Sequence, residues 1–213
     1  MIIPLEKRLK KRMHVEIALL QDEITELLYG IENDIILHGG TSVWRCYGGN
    51  RFSEDLDFYC ANVKKIEHNF KKAAKSRGLS ILKFKKTKNL IFCKVSNRNS
   101  EVRIEINFAR LKTAISKPFE KTDGTFMEVL TLSPEELVLE KISAYQNRRF
   151  IRDIYDIYHL SNYVNDEKIG ERMITFFASL EKPVDEENLN SIVYSGNVPA
   201  FKQIVAALKR RYS

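Results

Sequence analysis

The segment Leu37-His-Gly-Gly-Thr-Ser-Val-Trp-Arg-Cys-Tyr-Gly-Gly-Asn-Arg-Phe-Ser-Glu-Asp-Leu-Asp-Phe58 joins two features that each call for a charged ligand. A short apolar run, residues 34–38, reads as a buried strand and stops at Gly39-Gly40. Gly40 or Thr41 then caps a short helix through Tyr47, which Gly48-Gly49 ends. Glycines let backbone approach a ligand closely, and a helix start offers free N–H groups to an anion. The Thr41 and Ser42 hydroxyls add donors, so a phosphate is the natural occupant of residues 39–42. Next, residues 55–60 alternate as a strand. Period two puts Asp55 and Asp57 on one face and sends Leu56 and Phe58 into the core. Two carboxylates held that close repel unless a cation lies between them. Mg²⁺, or Mn²⁺, bound by one or two carboxylates plus substrate phosphates, answers that need.

Working outward, residues 5–29 carry apolar positions at helical spacing and stop at Gly30. Residues 64–77 read as a helix ended by Gly78. Strand patterns follow at 79–84, 90–95 and 102–108, with a short one at 126–130. In 102–108, Val102, Ile104, Ile106 and Phe108 share one face and Arg103, Glu105 and Asn107 the other. Glu105 is therefore a candidate third metal ligand beside Asp55 and Asp57, and three acids from two strands suit in-line displacement at phosphorus. Arg51 and Ser53 share parity with the Asp pair and reach the same phosphates if that strand extends back to them.

The pattern changes at Ser133-Pro134-Glu135-Glu136, a capping box with proline at the first helical position. Helices are expected from there to about 147, then at 150–163, 167–181, 185–193 and 197–211. Strands and helices thus mix up to residue 131, and only helices occupy 132–213. On the first of these, Lys141 is a suitable point charge for a triphosphate. Asp153 and Asp156 share a face of the next helix, and Arg152 and Asp156 form an i,i+4 pair that by itself reads as a solvated surface.

The 213 residues are 44% hydrophobic and carry 35 Lys and Arg against 28 Asp and Glu, a net charge of +7. That excess favours an anionic partner. Three scattered cysteines without a CxxC pair argue against a disulfide scaffold or a cysteine zinc site and suit a reducing cytoplasm. No apolar run reaches the ~18–20 residues that span a bilayer, and the N-terminus lacks the order of a secretory signal. There is no GxxxxGK(S/T) loop, no kinase HRD or DFG element and no GxSxG, and the four histidines lack ligand spacing. Glu105 is followed by Ile106 and Asn107, without the lysine common to acidic-strand nucleases.

The motifs Gly39-Gly40-Thr41, Tyr47-Gly48-Gly49 and Arg51-Phe52-Ser53-Glu54-Asp55-Leu56-Asp57-Phe58 resemble the signature of the AbiEii/AbiGii toxins, nucleotidyltransferase-like proteins of the DNA polymerase β superfamily to which the MenT toxins are similar. Glu140-Lys141-Ile142 and Arg152-Asp153-Ile154-Tyr155-Asp156 resemble its second half. The resemblance implies an α+β fold: a nucleotidyltransferase-type mixed sheet with flanking helices over 1–131, then a helical C-terminal domain over 132–213. It implies Mg²⁺-dependent transfer of NMP from NTP to RNA, for MenT-like relatives the tRNA 3′ end, and a cognate antitoxin encoded alongside. By position, Gly40 and Thr41 stand at the phosphate loop, and Ser53, Asp55 and Asp57 at the nucleotide and metal site. Lys141 matches the phosphate-binding lysine and Asp153 the downstream acid, which either positions Lys141 or acts as base.

The expectation is thus a cytoplasmic nucleotidyltransferase toxin with Asp55, Asp57, Lys141 and Asp153 catalytic. Gly39, Gly40, Thr41, Ser42, Arg51, Ser53 and Lys141 would hold the nucleotide, and Asp55, Asp57 and Glu105 the metal. Two other readings stand beside it: a nucleotide-binding protein without transferase activity, and transfer of NMP to protein hydroxyls. Basic runs at 7–12, 83–88 and 209–211 can guide RNA backbone, although each alone reads as a solvated face.

Overall fold

The computed structural model describes residues 3–109 and 114–212. Its elements are α1 (Leu5–Arg8), α2 (Arg12–Ile31), β1 (Ile36–His38), α3 (Gly39–Cys46), β2 (Leu56–Tyr59), α4 (Val63–Ser76), β3 (Ser80–Lys86), β4 (Leu90–Ser96), β5 (Glu101–Asn107), β6 (Ala114–Glu120), β7 (Phe126–Leu132), α5 (Pro134–Arg148), α6 (Ile151–Leu160), α7 (Asp166–Ala178), α8 (Leu189–Ile192) and α9 (Phe201–Tyr212). Among the described residues the strands form one mixed sheet in the order β3-β4-β5-β2-β1-β7-β6. β1 runs antiparallel to β2 and parallel to β7, and β2 runs parallel to β5.

Alternation decides which side of the sheet is wet. Leu56, Phe58, Ile91, Cys93, Val95, Val102, Ile104 and Ile106 are buried, and α2 and α4 pack against that side. The opposite side carries Asp57 and Tyr59 on β2 and Arg103 and Glu105 on β5, with Asp57 directly beside Glu105 in the parallel register. Helix α5 starts as the capping box requires: Ser133 Oγ accepts from the Glu136 amide at 3.3 Å.

Four expectations need correction. The helix expected over 5–29 breaks, because Leu9 and Lys11 are extended and the N-terminal turn is drawn to the β6–β7 turn: the Glu6 amide donates to Thr122 O at 3.0 Å and Arg8 pairs with Glu120. The helix expected over 185–193 divides into a 3₁₀ turn, Glu186–Asn188, and the four-residue α8. β6 was not expected, because Pro118 interrupts its pattern; it lies at the sheet's edge, where a missing N–H is tolerated. The strand carrying the Asp pair begins at Leu56, so strand parity does not place Arg51 and Ser53. Residues 50–52 instead join the C-terminal part: Arg51 bridges Val193, the Phe52 amide donates to Ile192 O at 2.8 Å, and the Tyr194 amide donates to Asn50 O at 3.1 Å.

Candidate active site

Gly39 turns the chain from β1 into α3 with φ +73°, a left-handed conformation that glycine adopts without strain. A Cβ there would lie 2.5 Å from Asp57 Oδ2, and one on Gly40 would lie 2.6 Å from Ser53 Oγ and 2.7 Å from Arg51 Nη2. The glycine pair is therefore what lets the helix start, the Asp pair and residues 51–53 meet. Together they border a cavity of about 650 Å³ that is also lined by Glu105, Glu140, Lys141 and Arg148.

One wall is acidic. Burial, then repulsion from Asp55, raises the Asp57 carboxyl above its ordinary range, against the pull of His38 and Lys141. Burial, then Asp57 and Asp55, raises Glu105 likewise. Arg103 grips Asp55 with Nε at 2.9 Å and Nη2 at 2.8 Å. Among the described residues no three His, Cys, Asp or Glu side chains form a ready-made metal cage. Two crowded carboxylates whose charge is incompletely compensated still fit a hard divalent ion completed by phosphate oxygens and water.

The other wall is cationic and built on buried acids. Asp156, 1% exposed, receives Arg51 Nε and Nη2, each at 2.5 Å, and lies 2.8 Å from Lys141 Nζ. Burial opposes its ionisation, but Arg51 and Lys141 hold its carboxyl below the usual range. Asp153, 0% exposed, takes Arg148 Nε and Nη2 at 2.8 Å each and lies 3.8 Å from Lys141 Nζ. Three cations thus sit on two acids, leaving a net positive wall.

Of the residues expected from sequence, Gly39, Gly40, Arg51, Ser53, Asp55, Asp57, Glu105 and Lys141 line the cavity. The Thr41 and Ser42 hydroxyls do not: Thr41 Oγ1 donates to Asp55 O at 2.6 Å, and Ser42 Oγ lies 2.6 Å from Thr131 Oγ1, both side chains fully buried. They brace the loop rather than offer donors to a phosphate. Asp153 has no exposure and both of its oxygens are engaged by Arg148. The surface reading of Arg152 and Asp156 also fails, since Asp156 is buried beneath Arg51 and Lys141.

Sequence reasoning missed Arg103, Arg148 and a cluster on the cavity floor. His38 stacks on Tyr59 with ring centroids 3.9 Å apart, and Glu140 takes the Tyr59 hydroxyl at 2.7 Å and faces His38 Nδ1 at 3.2 Å. The adjacency of Glu140 to Lys141 was the available signal, but only the packing of α5 over β1 and β2 brings Glu140 to His38.

Residues 26–195 match the family described as nucleotidyl transferase AbiEii toxin, type IV TA system. The chain belongs to the AbiEii family. No match is found among curated proteins. The fold is similar to that of JHP933 from Helicobacter pylori, with a TM-score of 0.62 and 17% identity over 93% of this chain and 89% of that one. It is also similar to the antibiotic-resistance factor ANT(2'')-Ia, with a TM-score of 0.51 and 12% identity over 78% of this chain and 93% of that one. In this AbiEii chain Gly39, Gly40, Asp55, Asp57 and Lys141 all fall inside the matched residues. Among the described residues no helix is long and apolar enough to cross a membrane.

Proposed function

We propose that this AbiEii protein transfers NMP from an NTP to the 3′-hydroxyl of an RNA, with tRNA the acceptor tested first, and that it acts in the cytoplasm beside a cognate antitoxin. The observation that carries this reading is the opposition of two charged walls around one cavity: Asp57 and Glu105 on the sheet, with Asp55 just before β2, stand against Lys141 and Arg148 on α5 and Arg51 in the segment between α3 and β2. A triphosphate with its cation needs both at once.

Asp55 and Asp57, aided by Glu105, are the residues that would hold Mg²⁺ or Mn²⁺. When bound, that ion offsets charge at the α-phosphate and lowers the pKa of the attacking hydroxyl. Gly39 and Gly40 let the phosphates approach α3, while Ser53 supplies a hydroxyl. Lys141, fixed by Asp156 and braced by Asp153, neutralises the β- and γ-phosphates together with Arg148 and Arg51. The acceptor oxygen forms its bond to the α-phosphorus as the bond to the bridging oxygen breaks, and pyrophosphate leaves. The acceptor's proton is released to solvent as that bond forms. The segments 1–131 and 132–213 divide the chemistry: the first supplies the carboxylates and phosphate loop, the second Lys141 and its positioning acids.

The test is incubation with total tRNA, Mg²⁺ and each α-labelled NTP in turn, beside the Asp55→Ala/Asp57→Ala double variant. Label should enter RNA with the wild type and not with the variant. Label that survives ribonuclease but not protease would instead show a protein acceptor. Mg²⁺–NTP binding without any product would show a protein that only binds nucleotide.

A further inference from the structure

The chain's basic charge is concentrated in one place. Residues 63–94 hold eleven of the 35 Lys and Arg but one of the 28 Asp and Glu, a net +10 within a chain of net +7, so the rest is net negative. These residues form α4, β3 and β4, the last two at one end of the sheet.

The register shows where part of that charge points. Lys83 on β3 pairs with Lys94 on β4, and Lys94 pairs with Arg103 on β5. Arg103 in turn holds Asp55. One row farther along, Lys85 pairs with Phe92, Phe92 with Glu105, and Glu105 with Asp57. Because partners in register share a face, both rows lie on the side of the sheet opposite α2 and α4. Lys83, Lys85 and Arg103 are exposed there, and Phe92 and Lys94 are half-buried. Lys83 Nζ stands 5.2 Å from the centre of the Phe92 ring. A second cavity, about 530 Å³, bordered by Asp55, Arg103 and Lys94 together with Met13 and Ile17 of α2, Glu54 and the β4–β5 turn, joins Asp55 to the end of β4.

We propose that this open face of β3, β4 and β5 is the track along which the acceptor's single-stranded nucleic acid reaches the carboxylates. Phe92 stacks a base, and Lys83, Lys94 and Arg103 meet successive phosphates. The proposal rests on the RNA-acceptor reading above. A π-face flanked by cations is the chemistry that holds single strands without reading sequence. Lysines on β3 also guard an edge strand against pairing with other chains. That role does not account for Lys94 and Arg103 on inner strands, aligned with Lys83 and ending at Asp55. Lys94 also pairs with Glu101, an accessible contact that a phosphate displaces at little cost.

The test compares Lys83→Glu/Lys94→Glu with Lys72→Glu/Lys75→Glu, the same charge change on exposed positions of α4. The probes are a labelled RNA oligonucleotide with a free 3′-hydroxyl and total tRNA, with affinity measured by anisotropy across a salt series. Calorimetry with Mg²⁺–NTP reports on the nucleotide site. The track variant should weaken RNA binding by at least tenfold and flatten the salt slope by about 1.4, two contacts at about 0.7 each. It should keep the wild-type NTP affinity, and the α4 variant should change RNA affinity far less. Phe92→Ala should cost about tenfold on the oligonucleotide with an unchanged salt slope.

Equal losses in the two charge variants would overturn the track in favour of diffuse attraction. Wild-type RNA affinity in the track variant, with transfer to RNA intact, would overturn the track and leave the RNA reading standing. A wild type that labels protein and binds neither RNA would overturn both.

Discussion

Arg103 lies side-on to Asp55, its Nε 2.9 Å from one carboxylate oxygen and its Nη2 2.8 Å from the other. The hydrogen bonds to Asp55 raise the Arg103 pKa further, so the cation is permanent. In this arrangement a protein cation holds the oxygens that a divalent ion would use. Both side chains are substantially solvent-exposed, 55% and 32%, so the pair contributes little to stability. Arg103→Ala should change Tm by no more than about 1 °C. It should tighten Mn²⁺ binding severalfold in the absence of nucleotide, as measured by calorimetry. Weaker Mn²⁺ binding would show that Arg103 helps to assemble the metal site rather than competing for it.

Asp57 trades stability for charge. Its pKa is raised above the ordinary 3.8 by burial and then by Asp55. The folded protein therefore retains this proton at pH values where the unfolded chain has lost it. The group's contribution to stability is most favourable below the unfolded pKa and falls as pH rises through the folded one. Asp57→Asn should raise the Tm of the metal-free protein at pH 7, by about 2–4 °C for each kcal/mol relieved, while abolishing transfer. Mg²⁺ should raise Tm in the wild type and not in this variant. The Mg²⁺ increment should shrink as pH falls toward 4. A lower Tm for Asp57→Asn at pH 7 would contradict the argument.

Asp156 is the opposite case. It joins Arg51 and Lys141 underneath the cationic wall, and they hold its carboxyl low despite burial. A depressed acid contributes stability that is present above the unfolded pKa and is lost as pH falls through the folded one. Asp156→Ala leaves two buried cations without their shared partner and should cost about 3–5 kcal/mol at pH 7 by urea unfolding. That deficit should narrow as pH falls below the ordinary value of 3.8. A deficit independent of pH would point to lost packing instead of lost charge.

Gly40→Ala tests the close approach of Ser53 and Arg51 to the start of α3. Its Cβ would meet Arg51 Nη2 at 2.7 Å, and Arg51 cannot withdraw because Asp156 grips it from the far side. Transfer should fall by at least 100-fold and the KM for NTP should rise, with a modest loss of Tm. Near-normal kinetics would show that the loop has slack the geometry does not suggest.

A fragment ending at residue 131 should not fold by itself, although it contains most of the sheet. Tyr194 accepts from Trp44 Nε1 at 2.9 Å and donates to Gly49 O at 2.9 Å. Trp44 is 1% exposed, and truncation would uncover it. Disperse amide signals in a heteronuclear NMR spectrum of the fragment would refute this.

The sheet was largely readable because period-two alternation is a local property: Val102, Ile104 and Ile106 announce their buried face without reference to any partner. Ser133 to Glu136 announced a helix start for the same reason. β6 was hidden by Pro118, whose meaning depends on whether its strand lies at an edge. The break in the first helix was hidden because Thr122 and Glu120, more than 100 residues away, decide it.

At the site, residue type and spacing marked Gly39, Gly40, Asp55, Asp57 and Glu105, because each carries its chemistry in its own side chain or in its lack of one, whereas Lys141 was singled out by the family resemblance. Only tertiary structure assigned the partners: Arg103 on Asp55, Asp156 under Arg51 and Lys141, Asp153 clasped by Arg148, and Thr41 and Ser42 turned away from the cavity. Coulombic and hydrogen-bond energies depend on distances of a few ångströms between groups tens of residues apart, and chain closure sets those distances. A carboxylate two residues from another can be recognised as costly in the sequence; which cation relieves it is a property of the folded packing.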